Sequence, residues 1–217
     1  MSSAEDQAVS RRYQDYVIRD GRFVGRFEEM YRNSAEIPWH QDETVNAIFS
    51  DITVAIVRRC RPSSLLDVGC GLGFMAERLR REVPGLERVV GLDISETAIA
   101  KAAEMFPKIE FRAGTLFDAA VPVGEFDVVV SKDVLWYVLG DLVGYLARLV
   151  KASRRYAYIG QSFPERRPFY GDDVLPDAAS LLALADRCGY RVHYSAIERD
   201  CHYGGREYAH LLIEAMP

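Results

Sequence analysis

A carboxylate and three glycines are the first residues whose spacing suggests chemistry: Asp67, Gly69, Gly71 and Gly73, in the run LLDVGCGLGF from Leu65 to Phe74. The apolar start reads as a short buried strand. After Phe74 the period becomes helical, with Met75, Leu79 and Val83 on one face. A strand that turns through glycines into a helix brings backbone N–H groups close to a ligand, and the missing Cβ atoms leave room for it. The spacing is neither that of the dinucleotide fingerprint nor that of a phosphate loop, since no Gly-Lys-Ser/Thr follows. A carboxylate two positions before the first glycine repels a pyrophosphate and suits a ligand that carries an ammonium or sulfonium group.

A second acidic residue follows 20 positions beyond Gly73: Asp93, at the end of the apolar run Arg88–Leu92. At the tip of the second strand of a nucleoside-binding βαβ unit, such a carboxylate accepts hydrogen bonds from ribose hydroxyls. It also fits the simpler role of helix cap in Asp-x-Ser, and the pairing with the glycine turn favours the first reading.

LLDVGCGLGF followed by VVGLDIS resembles the first two motifs of the class I S-adenosylmethionine-dependent methyltransferases, over about Ser63 to Phe163. The resemblance implies an α/β, Rossmann-like, seven-stranded and mostly parallel sheet with an antiparallel terminal hairpin and helices on both faces. It implies S-adenosylmethionine as methyl donor. The methionine part is expected on Asp67 and Gly69–Gly73, the ribose on Asp93, and the adenine near Ile94, Thr115 and Leu116, with Ser131 also at the cofactor. In Gly114-Thr115-Leu116, Thr115 stands where the family usually has a carboxylate. Relatives that methylate nucleobases or glutamine amides carry Asn/Asp-Pro-Pro-Tyr/Phe after the fourth strand. This chain has Ser131-Lys132-Asp133-Val134, which favours a hydroxyl or an aliphatic amine as acceptor.

The elements that must position these groups can be taken in order. Residues 1–10 read as disordered. Residues 1–40 read as a lid, rich in aromatics (Tyr13, Tyr16, Phe23, Phe27, Tyr31), ahead of a single domain over 41–217. Pro38 keeps Ile37 out of the helical region, so Trp39 and His40 are presented just before a helix over about Gln41 to Cys60. A similar Pro-Trp segment occurs in the nodulation-type N-methyltransferases, and sugar and natural-product methyltransferases are the wider likeness. Trp39 is expected at the cofactor. Helices are expected over Phe74–Glu82, Ser95–Met105, Asp141–Lys151 and Asp177–Cys188. Strands are expected over Ile109–Ala113, Phe126–Ser131, Tyr156–Gln161, Tyr190–Arg199 and Arg206–Ala215. The loop from Gln161 to Pro176, with Arg166 and Phe169, is long enough to line an acceptor pocket.

If the acceptor is a hydroxyl, a general base is useful. His40 and Asp133 are the catalytic candidates, with His202 and Tyr203 behind them. His193 and His210 read as structural. No clustered His, Cys or carboxylates call for a metal. Cys60, Cys70, Cys188 and Cys201 lack metal-ligand spacing and read as reduced thiols. The net charge of −5 gives no general attraction to nucleic acid, and no run approaches the ~20 apolar residues of a membrane span. The expectation is a cytoplasmic enzyme, a monomer or homodimer, that methylates a hydroxyl or amine of a small polar molecule, such as a sugar or natural-product intermediate. The competing readings are a cofactor-binding or scaffolding protein without turnover, and a protein methyltransferase.

Overall fold

Three apolar runs lie side by side at the centre of the sheet. The computed structural model describes residues 12–118, 123–165, 167–200 and 206–215. The seven strands are β3 (Ser64–Val68), β4 (Arg88–Asp93), β5 (Glu110–Ala113), β6 (Phe126–Lys132), β7 (Ser153–Phe163), β8 (Val192–Asp200) and β9 (Arg206–Glu214), in the spatial order β5-β4-β3-β6-β7-β9-β8. The first five of that order run parallel, and β9 lies antiparallel to both β7 and β8. This is the Rossmann-like sheet with an antiparallel end that the sequence predicts. β3, β6 and the middle of β7 are buried on both faces, which is why they read as continuous apolar runs.

Alternation along the strands feeds two cores. Leu66, Val68, Val129, Ile159 and Leu211 pack on α7 (Leu142–Ala152) and α8 (Ala178–Arg187). Leu65, Val89, Val128, Val130 and Leu212 pack on α4 (Ile48–Cys60) and α5 (Phe74–Glu82). At the amino ends of β3, β6 and β7 the Asp127 carboxylate accepts from Ser63 N (2.8 Å), Ser63 Oγ (2.7 Å) and Arg154 (3.0 Å). Burial raises its pKa, and these donors outweigh that effect and hold it below the usual carboxylate range.

α6 (Glu96–Met105) is capped by Ser95, whose hydroxyl accepts from Ala98 N at 3.1 Å. The expected helix over Gln41–Cys60 is two helices: α3 (Gln41–Thr44), and α4 from Ile48, separated at Ala47 in an extended conformation (ψ 159°). Before them come α1 (Gln14–Val17), a two-strand ribbon of β1 (Ile18–Arg19) and β2 (Arg22–Phe23), and α2 (Phe27–Asn33). Their aromatic side chains form a third cluster, in which Tyr13, Tyr16, Met30 and Tyr31 pack on Leu72 and Ala98. Glu28 ties α2 down: it accepts from Ser95 Oγ (2.6 Å), Thr97 N (3.1 Å) and Thr97 Oγ1 at the start of α6, and these bonds lower its pKa to about 2. The expectations placed on residues 1–10, Arg166, Cys201, His202 and Tyr203 lie outside the described residues. His210 is fully buried. Its Nδ1 shares a 2.8 Å hydrogen bond with Tyr158, which in turn bonds Thr53 at 2.7 Å.

Gly73 shows how tightly the helix-opening turn is packed. Its φ is +82°, and a Cβ there would lie 2.6 Å from Phe111 Cζ. Gly73→Ala is expected to lower stability by about 1–3 kcal/mol, from overpacking and a left-handed backbone. Urea denaturation followed by circular dichroism measures it.

Candidate functional site

Strand order reverses between β3 and β6, and in open α/β sheets ligands bind at such a switch point, outside the carboxyl ends of the strands. A cavity of about 660 Å³ lies there, roofed by the amino-terminal segment. It is lined by Trp39, His40, Asp67, Gly69, Asp93, Ile94, Thr115, Leu116 and Asp133, so nine of the twelve expected site residues meet in one place.

Asp67 is the last residue but one of β3 and is buried. Its Oδ2 is buried with no hydrogen-bond partner among the described residues, although the residue lines the cavity. Burial raises its carboxyl to about 7, with Lys132 opposing and Asp93 adding to the rise. A buried carboxylate oxygen without a donor is a vacant place for a cationic group.

The glycine turn departs from expectation. Its N–H groups are taken by acceptors of the protein itself. Gly69 and Cys70 both donate to Leu92 O (2.7 and 3.0 Å), Gly71 to Asp93 Oδ2 (2.9 Å), Leu72 to Gln41 Oε1 (2.9 Å) and Gly73 to Cys70 O (2.9 Å). Gly69 alone of the three glycines lines the cavity. The space a Cβ would take at Gly71 is filled by the Gln41 amide and Tyr31 Oη, and at Gly73 by Phe111 and Phe106. These two glycines therefore serve the docking of the roof and the packing of the helix. Ser131 is also corrected. It is buried, and its hydroxyl bonds Tyr145 Oη at 2.8 Å, so Tyr145 and not Ser131 forms that part of the wall.

Asp93 accepts from Gly71 N through Oδ2 and from Ser95 N through Oδ1 (3.0 Å), with Ile94 N also acting on it, and its two oxygens offer about four acceptor positions, so room is left for a further donor. Burial raises its pKa, and the backbone donors oppose the rise. Ile94 stands 58% exposed at the cavity edge, with Phe117 (41%) also on the wall. The two exposed apolar side chains offer flat surface to a ring. Thr115 Oγ1 accepts from Phe117 N at 3.2 Å, and Thr115 N donates to Asp118 Oδ2.

Trp39 and His40 hold consecutive left-handed conformations (φ 56° and 48°), which cost free energy for non-glycine residues and turn both side chains to the cavity. Trp39 packs among Tyr13 (5.7 Å), Tyr137 (5.9 Å), Tyr31 (6.2 Å) and Phe27 (6.3 Å). His40 meets the edge of Tyr13 at 6.0 Å.

Asp133 is also left-handed (φ 58°). Its Oδ1 accepts from Ser162 N (2.9 Å), and its Oδ2 accepts from Lys132 Nζ (3.0 Å) and Tyr208 Oη (3.2 Å). Burial raises its pKa, and Lys132 and the hydrogen bonds outweigh that, leaving the carboxyl below its ordinary value. An anion so well paired orients other groups better than it takes up a proton. Gln41, Lys132, Phe49 and Tyr208 belong to the site and were not singled out from the sequence, whereas Tyr31 was expected as one of the lid's aromatics. Lys132 adjoins the expected Asp133, whereas Tyr208 lies 75 residues away from it.

A family model described as methyltransferase domain matches residues 65–155. A probable S-adenosylmethionine-dependent methyltransferase from Mycolicibacterium smegmatis is 26% identical over 169 residues, covering 69% of this chain and 63% of that protein. The release factor glutamine methyltransferase of Koribacter versatilis is 31% identical over 134 residues, 58% of this chain and 46% of that one. Less than half of the chain thus matches a methyltransferase domain, and the proteins it is similar to are methyltransferases. The chain spans less than two thirds of the length of either relative. The crystal structure of an S-adenosylmethionine-dependent methyltransferase from Aquifex aeolicus shares the fold, with a TM-score of 0.62 at 16% identity, covering 81% of this chain and 95% of that one. The methyl donor named for the first of these relatives is S-adenosylmethionine. The residues present fit it: the unpartnered Asp67 oxygen suits its ammonium, the spare lone pairs of Asp93 suit ribose hydroxyls, and Ile94, Leu116 and Phe117 suit adenine. Among the described residues no three His, Cys, Asp or Glu gather as a metal site, and no helix is long and apolar enough to cross a membrane.

Because the Asp67 carboxyl sits near 7, it must ionise to meet an ammonium. Affinity for S-adenosylhomocysteine is expected to rise about tenfold between pH 6 and pH 8, following the ionised fraction. Asp67→Asn is expected to bind more weakly and without that slope. Calorimetric titration at several pH values checks both.

Proposed function

We propose that the protein transfers a methyl group from S-adenosylmethionine to an oxygen or nitrogen of a small polar molecule. The observation that carries this reading is the unpartnered Asp67 oxygen at the wall of a roofed cavity of about 660 Å³. That volume is in the range of small-molecule sites, roughly 300–1,000 Å³. The bound cofactor supplies an already activated methyl group on a sulfonium.

The protein's task is then to hold, align and exclude water. Asp67 and Asp93 hold the two ends of the cofactor. The roof, with Trp39, Tyr31 and Gln41, closes over the glycine turn and keeps water out. His40, facing the cavity beside Tyr13, is the group that takes a proton from an acceptor hydroxyl. Asp133, ionised and fixed by three donors, sets the acceptor's orientation. The roof also supports a small acceptor over a protein side chain. The sequence after β6, Ser131-Lys132-Asp133-Val134, lacks the Pro-Pro that relatives use on amides.

Asp93→Ala is expected to weaken S-adenosylhomocysteine binding at least tenfold, about 1.4 kcal/mol, in a calorimetric titration. His40→Ala and Asp133→Ala are expected to keep that affinity within about threefold and to lower transfer of radiolabelled methyl to the small-molecule fraction of a source lysate by about a hundredfold. Wild-type protein that binds the product yet labels nothing in the lysate would instead favour a cofactor-binding role without turnover. Label in the protein fraction alone would favour a protein acceptor.

A further inference from the structure

The acceptor's chemical class can be read from the charges beyond Asp133. Lys132 closes β6, lines the cavity, and is only 14% exposed at its side chain. Its ammonium lies 3.0 Å from Asp133 Oδ2, 4.5 Å from the centre of the Phe49 ring and 5.5 Å from that of Tyr208. The two rings are stacked at 4.8 Å, nearly parallel at 8°. An ammonium has three N–H donors, and one oxygen acceptor serves it among the described residues. The ring faces attract its charge without supplying a lone pair in hydrogen-bond position. A buried cation in this state gains from an oxygen anion on its open side.

The one carboxylate beside it is shared. Asp133 also accepts from Ser162 N and Tyr208 Oη, so its charge is only partly directed at Lys132. A second cation, Arg206 at the start of β9, lines the same cavity and has no ion pair among the described residues. Its charge reaches the Tyr13 phenol, opposing the effect of burial there. Glu43, the remaining acidic residue of this end, is exposed on α3 and screened by water. Asp67, which feels the charge of Lys132 without a hydrogen bond to it, and Asp93, held by backbone donors, are the cavity's other acids.

We propose that the acceptor is a carboxylate-bearing small molecule whose carboxylate is the counter-ion of Lys132, with Arg206 attracting it from the rim; this rests on the methyl-transfer reading above. A positively charged amine would be repelled by Lys132. A phosphate dianion needs more donors than the place offers, because the N–H groups of the glycine turn are all in use. A planar, singly charged carboxylate matches one ammonium beside a stacked pair of flat rings.

The test uses full-length protein saturated with S-adenosylhomocysteine. The probes are benzoate, phenylacetate and succinate, their neutral amides, and phenyl phosphate, titrated calorimetrically. The expected result is binding of at least one carboxylate, with its amide at least tenfold weaker. Lys132→Met should weaken that carboxylate at least tenfold, Lys132→Arg by no more than about threefold, and Arg206→Gln by an intermediate factor. Titration of S-adenosylhomocysteine into Lys132→Arg and Arg206→Gln checks that both fold. Equal binding of carboxylate and amide, or carboxylate binding unchanged in Lys132→Met, overturns the proposal. So does phenyl phosphate binding more tightly than every carboxylate. Wild type that binds S-adenosylhomocysteine but no carboxylate overturns this inference alone. Wild type that does not bind S-adenosylhomocysteine overturns the methyl-transfer reading with it.

Discussion

Much of the structure around the cavity depends on one buried carboxylate, Asp93. One of its oxygens holds the N–H of Gly71, the other that of Ser95. The first bond fixes the turn after β3 and the second fixes the entry to α6. Ser95 in turn caps Ala98 N and donates to Glu28 on α2. Two crossovers of the sheet and the segment above them are thus joined through a single side chain. Burial disfavours its charge, and hydrogen bonds from backbone donors to an ionised acceptor are the kind strong enough to keep it in place.

That carboxylate was legible in the sequence because it sits at a fixed distance from the glycine run and ends an apolar strand. Other one-dimensional signals were equally direct: the doubly buried strands as unbroken apolar runs, the helices that start at Ser95 and Asp177, and the terminal antiparallel pair as two alternating stretches. What could not be read was which groups would use the turn's N–H donors. Gln41 and Leu92 are the acceptors for three of them, and Gln41 is 31 residues from the Leu72 it serves. The break in the helix after Gln41 has no glycine or proline to mark it. On one side of it Gln41 reaches down to the turn, and on the other α4 packs on the sheet.

Ser131 and Lys132 show a different difficulty. They are neighbours in the sequence and opposite in space, since successive strand residues face opposite sides of a sheet. Ser131 shares its side with Val129 and meets Tyr145 of α7. Lys132 shares its side with Val130 and meets Phe49 of α4. Alternation counted from the strand's buried residues leads to this assignment, but the motif viewed as a block does not. The overall charge of −5 was similarly uninformative about the cavity. The cavity wall carries both Lys132 and Arg206 alongside its acids, and a sum over the chain erases that detail.

Glu28 joins two structural duties. It supplies acceptors to donors at the first turn of α6, a task that any helix start must have met by some group. It also fastens α2, and with it the aromatic segment above the cavity. Roof and floor are therefore not separable modules in the history of such a chain. A lineage that exchanged its amino-terminal segment for another, to admit a different acceptor, would at the same moment leave a helix of the central domain short of a partner. New roofs can be tried only where they bring an acceptor of their own to that helix start, which narrows how acceptor preference can drift in this branch of the fold.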